Sequence, residues 1–140
     1  LLNKKNMQLL RILIGFSALI CSIIYGKLYS NDELERLEQG ISRIHLNDGD
    51  TAMLTSFYDS GKVIVLKIGI NGLNRDERQF EAKKSLYKKQ ALKFTCKNKV
   101  LEKYLSSGKR IQVDLNIEGN SVDMFANFNL TTARCGKFSL

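Results

Sequence analysis

Between Ile111 and Leu130 the chain alternates apolar and polar residues twice over, with a turn sequence in the middle. Ile111, Val113, Leu115 and Ile117 alternate with Gln112, Asp114, Asn116 and Glu118. Glu118-Gly119-Asn120 supplies the turn, and Val122, Met124, Ala126, Phe128 and Leu130 then alternate with Asp123, Phe125, Asn127 and Asn129. A period of two over that length predicts a β-hairpin with one dry and one wet face. The dry face needs a cover, so the rest of the chain must supply helices to pack on it.

Those helices are legible upstream. Asn31-Asp32 followed by ELERLEQGISRIHL predicts a helix capped by Asp32, with Leu34, Leu37, Ile41 and Ile44 as its apolar stripe. Gly40 weakens that pattern, and Asn47-Asp48-Gly49 ends it. Thr51–Tyr58 and Lys62–Ile70 read as two strands joined at Asp59-Ser60-Gly61. Arg75–Phe94 is rich in helix formers, with Phe80, Lys83/Lys84, Tyr87, Ala91 and Phe94 marking one side. A short helix over Asn98–Ser107 precedes the hairpin. The order is α-β-β-α-α-β-β. It predicts an α+β domain: a four-stranded antiparallel sheet with helices on its dry face.

The first 30 residues differ in kind. They hold four of the 22 basic residues and no acid. The remaining 18 bases face 14 acids, so residues 31–140 carry only +4. That charge suits solubility and mild attraction to anionic surfaces, not a nucleic-acid reader. Lys4, Lys5 and Arg11 precede the apolar run Ile12–Gly26, the pattern of an export signal. Fifteen helical residues span about 22 Å, short of a ~30 Å hydrocarbon core. Tyr25, Lys27 and Tyr29 could extend that span as an interfacial flank, so a cleaved signal and a retained inner-membrane anchor through residues 12–26 both stand. Either places residues 31–140 outside the cytosol, in the periplasm. Cys21 follows Ile20 rather than a small residue, so it reads as an apolar member of the run, not a lipidation site.

Two cysteines remain, Cys96 and Cys135. In an exported domain they are expected to pair as a structural disulfide. Their spacing is far from C-x-x-C, and the single histidine, His45, has no cysteine or carboxylate cluster to join, so no metal site is expected. Asn47-Asp48-Gly49-Asp50 has a calcium-loop flavour but lacks the later ligands and reads as a turn. Lys83, Lys84, Lys88, Lys89 and Lys93 make a basic helix side, read as a solvated face with Glu77 and Glu81 as partners. No nucleophile–base pair, phosphate loop or paired-carboxylate pattern stands out. A binding role without cofactor is therefore expected, not an enzyme. The wet hairpin face is its candidate surface: Gln112, Asp114, Asn116, Asp123, Asn127 and Asn129, with Phe125 as an exposed aromatic anchor.

The export segment Lys4–Gly26, the small α+β domain and the Cys96/Cys135 pair together resemble the immunity proteins that guard bacteria against periplasm-acting bacteriocins, of the colicin M and pesticin types. That resemblance implies a periplasmic inhibitor that sequesters a cognate toxin, with a basic surface for an acidic toxin patch. The alternative is a pilotin-like assembly factor that binds a short segment of a secretion channel.

Overall fold

The computed structural model describes residues 3–118 and 123–137, without the side chains of residues 17–31. The chain divides into two units, Leu1–Leu34 and Glu35–Leu140. Helix α1 covers Lys4–Ser42. Asp32 is therefore an interior helical residue and not the expected cap. In the first unit Leu9, Ile12, Ile14 and Phe16 are exposed. Among the described residues no helix is long and apolar enough to cross a membrane. The side chains of Cys21, Tyr25, Lys27 and Tyr29 lie outside the described residues, as do Gly119, Asn120 and Val122 of the expected hairpin turn.

The second unit carries β1 (Thr51–Asp59), β2 (Val63–Asn71), α2 (Phe80–Lys97), α3 (Lys99–Ser106), β3 (Arg110–Ile117), β4 (Met124–Leu130) and α4 (Thr132–Gly136). The strands form one sheet in the order β1-β2-β3-β4. β1/β2 and β3/β4 are antiparallel hairpins, but β2 and β3 run parallel, Ile64 beside Ile111 through Ile70 beside Ile117. The expected antiparallel sheet is thus a mixed one. The reason is the α2–α3 crossover. It carries the chain back to the end of the sheet where β2 began, so β3 must start alongside the start of β2.

Alternation decides which face is covered. Ile64, Leu66 and Ile68 of β2, and Ile111, Val113 and Leu115 of β3, are fully buried. They meet Leu37 and Ile41 of α1, Phe80, Tyr87 and Ala91 of α2, and Leu101 and Leu105 of α3 in one core. Each such side chain taken from water stabilises the fold by roughly 1.5–3 kcal/mol. The inward stripe of α2 is Phe80, Lys83, Tyr87, Ala91 and Thr95, at spacings of three and four.

Helix boundaries follow local chemistry. α2 starts five residues later than expected because Asn74 holds the preceding turn: its Oδ1 accepts from the Asp76 amide at 3.0 Å and its carbonyl from the Glu77 amide at 3.2 Å. Asn98 separates α2 from α3, its Oδ1 accepting from the amides of Val100 (3.0 Å) and Leu101 (3.2 Å). The short α4, not foreseen in the sequence, is capped by Thr131 through the Arg134 amide at 3.1 Å. It presents Cys135, which is bonded to Cys96 in the last turn of α2, with Cα atoms 5.1 Å apart.

Candidate functional site

The hairpin surface divides into three groups. Gln112 stands opposite Asn129, and Asp114 opposite Asn127, on the uncovered face of β3 and β4. Asp114 and Asn116 are buried by their neighbours, and Gln112 donates from Nε2 to Asp114 Oδ1 at 3.1 Å. Asn127 and Asn129 are exposed. With Gln112, Lys88 and Arg134 they border a shallow polar hollow of about 280 Å³ at the β4 edge.

Asp123 is already engaged. The Arg75 guanidinium grips its carboxylate, Nε lying 2.8 and 2.9 Å from the two oxygens, with a further contact from Nη2. That bond is the main reason the Asp123 carboxyl sits below its ordinary value.

Phe125 is the correction. It is 5 % exposed, not an outward anchor. The ladder shifts between Leu115 and Asn116: Leu115 pairs with Ala126, but Asn116 pairs with Met124, leaving Phe125 as the extra residue of a β-bulge. One extra residue reverses the alternation beyond it. Met124, expected inside, is therefore exposed, and Phe125 turns in against Phe80, edge to face at 6.3 Å between centroids.

A second cluster, foreseen as a turn and as a basic helix face partnered by Glu77, lies at the start of α2. Lys83 is buried, not part of the solvated basic side. Its ammonium lies 3.1 Å from Asp48 Oδ2, 3.2 Å from Asp50 Oδ2 and 3.0 Å from Glu77 Oε1. Those three partners, Glu77 foremost, outweigh the cost of burial and raise the Lys83 pKa. The Tyr87 hydroxyl donates to Asp50 Oδ2 at 2.5 Å and accepts from the Asn47 amide at 3.2 Å. Burial first, then the Asp50 bond, pushes Tyr87 up to about 12. The Asn47–Asp50 turn thus wraps its carboxylates around a lysine ammonium. Gly72, at φ +95°, completes the closure: a Cβ there would stand 2.4 Å from Asp50 Oδ1. This lysine is held charged and enclosed, the opposite of what a nucleophilic lysine requires. The cluster is structural.

The third feature is concave, and the sequence did not reveal it. A cleft of about 660 Å³ opens between the end of α1, the second half of α2 and the start of α3. Its apolar floor is Ile44, Phe94 and Val100, all half-buried. Arg36, His45, Lys93, Lys97 and Lys99 line it, all exposed, and among the described residues no carboxylate does. Gly40 makes the floor possible, since a Cβ there would stand 2.9 Å from the Phe94 ring. Its place is one of close approach, beyond being a weak helix former. Gln90 also lines the cleft, and its Oε1 is buried without a hydrogen-bond partner among the described residues. Only Lys93 and Lys97, at i and i+4 on either side of Phe94, could have hinted at the cleft. The other cations come from separate elements that only the fold unites.

Among the described residues, no group of three or more His, Cys, Asp and Glu comes together to hold a metal. No protein-family model matches the sequence, and no curated protein matches it. Among solved structures the chain is similar to a Pseudomonas aeruginosa protein provisionally described as secreted. The two are 11% identical, with a TM-score of 0.47, over 74% of this chain and 90% of that one. At that level the likeness bears on neither function nor location.

Proposed function

We propose that this chain is an exported binding protein that acts by capturing another protein, not by catalysis. The observation that carries this reading is the cationic, apolar-floored cleft between α1, α2 and α3. A group of positive charges lining one cleft steers an acidic partner, and desolvation of the apolar floor supplies affinity. Export rests on the basic flank before Ile12–Gly26, with the domain in the periplasm, free or held at the inner membrane. The Cys96–Cys135 bond suits an oxidising compartment.

In its specific form the protein is an immunity protein that neutralises a periplasm-acting bacteriocin, the cleft taking an acidic part of the toxin. Cells expressing the chain, with and without residues 1–30, are challenged with a panel of such toxins. Protection against one toxin, lost without the leader and lost in Lys93→Glu/Lys97→Glu, is the expected result. Unprotected cells across the panel would sink the immunity form.

The narrowness of the cleft favours a second reading. About 660 Å³ holds a few side chains, not a domain surface. A short tail or loop fits it, as a pilotin-like assembly factor of a secretion machine would require. Cross-linking in envelope fractions separates the two, by recovery of a channel subunit or a toxin.

A further inference from the structure

We infer that the cleft takes an acidic peptide segment in which a bulky apolar side chain is flanked by carboxylates. This rests on the protein-binding reading above and names the chemistry of the bound segment. Three observations converge on it. First, the floor of Ile44, Phe94 and Val100 accepts an apolar side chain but offers no charge. Second, the cations stand around that floor on three elements: Arg36 on α1, Lys93 and Lys97 on α2, Lys99 on α3. Lys93 and Lys97 are one helical turn apart, about 6 Å along the axis. Carboxylates flanking one apolar residue of a peptide fall at comparable spacing. Third, Gln90 lines the cleft, and its Oε1 is a buried acceptor without a donor among the described residues. A peptide backbone brings N–H groups to it. A phosphodiester group itself brings none.

The test uses the full chain and a fluorescent twelve-residue peptide carrying Leu and Phe between pairs of Glu. A matched peptide has Gln in place of each Glu, and phosphatidylglycerol vesicles form a third arm. The acidic peptide is expected to bind at least ~10-fold more tightly than the Gln peptide and to weaken as salt rises. Lys93→Glu/Lys97→Glu and, separately, Arg36→Glu/Lys99→Glu should each weaken binding ~10-fold or more with melting unchanged. Lys89→Glu, exposed on the same helix but outside the cleft, should stay within about twofold. Equal binding of the two peptides overturns the inference. So does vesicle binding that depends on Lys93 and Lys97 in the absence of peptide binding. If cross-linking to an envelope partner is lost in Lys93→Glu/Lys97→Glu yet no acidic peptide binds, the inference fails and the binding reading stands. If that cross-linking is indifferent to the cleft charges, both fall.

Discussion

The hydroxyl of Tyr87 donates a 2.5 Å hydrogen bond to Oδ2 of Asp50, the same oxygen that lies 3.2 Å from the Lys83 ammonium. One carboxylate oxygen thereby ties the turn after α1 to two successive turns of α2. Tyr87→Phe keeps the ring in the core and removes the donor. It should cost about 1.5–3 kcal/mol, as expected for one hydrogen bond to a charged group. Asp50→Ala should cost more, because it leaves both Lys83 and Tyr87 short of a buried partner. Urea unfolding of the three proteins checks the order. An Asp50→Ala domain as stable as Tyr87→Phe would show that Asp48 and Glu77 hold Lys83 without it.

The same cluster sets an alkaline limit on stability. Tyr87 is raised to about 12 and Lys83 is raised above its ordinary value, so the folded state keeps protons that the unfolded chain releases from about pH 10 upward. The contribution of these two groups is complete below about pH 10 and is lost as pH rises through the folded-state values. Asp59, held down chiefly by Lys109, and Asp123, held down chiefly by Arg75, act at the other end. Their contribution is present above about pH 4 and is lost as pH falls. The urea midpoint should therefore drop between pH 9 and 11, and less steeply in Tyr87→Phe. A midpoint level across that range in the parent protein would refute the proton linkage.

Much of this fold could be read from periodicity, and the departures have identifiable causes. The faces of β2 and β3 followed from strict alternation because both are inner strands with one face against helices. The parallel pairing did not, since hydrophobic pattern sets which face is buried and not which way a neighbour runs. The bulge at Phe125 was equally silent: its signature is a shift in pairing between two strands, invisible in either alone. Lys83 looked like one more surface lysine with Glu77 as its partner, because its other two carboxylates, Asp48 and Asp50, lie in the turn after α1. The cleft escaped for a related reason. Arg36 and Lys93 are far apart in sequence, and only the fold, with Phe94 lying against Gly40 and Leu37 and Ile41 sharing a core with Tyr87 and Ala91, brings their helices together.

The Cys96–Cys135 bond joins the end of α2 to α4 across a sequence separation of 39. Closing a loop of that size removes unfolded-state entropy worth about 4 kcal/mol in the chain-entropy model. For a domain of this length, Cys96→Ser/Cys135→Ser should lower Tm by about 15 °C or more. Reductant should move the parent protein by the same amount and leave the double variant unchanged. A parent whose Tm ignores reductant would show that the bond does not form or contributes nothing.

Phe125 and Asn127, two residues apart on β4, now separate structure from surface. Phe125 is buried against Phe80, and Phe125→Ala should cost about 3–4 kcal/mol through the cavity it leaves. Any loss of partner binding in that variant would follow unfolding and should be restored by lowering the temperature. Asn127 is exposed at the β4 edge, opposite Asp114, and Asn127→Ala should stay within about 0.5 kcal/mol. The discriminating measurement is urea unfolding of both variants beside peptide binding at 10 °C. If Phe125→Ala is as stable as the parent, the inward bulge is refuted and the ring is a surface group. If Asn127→Ala is stable yet binds the acidic peptide normally, the hairpin amides lie outside the cleft's recognition, as their position on the uncovered sheet face requires.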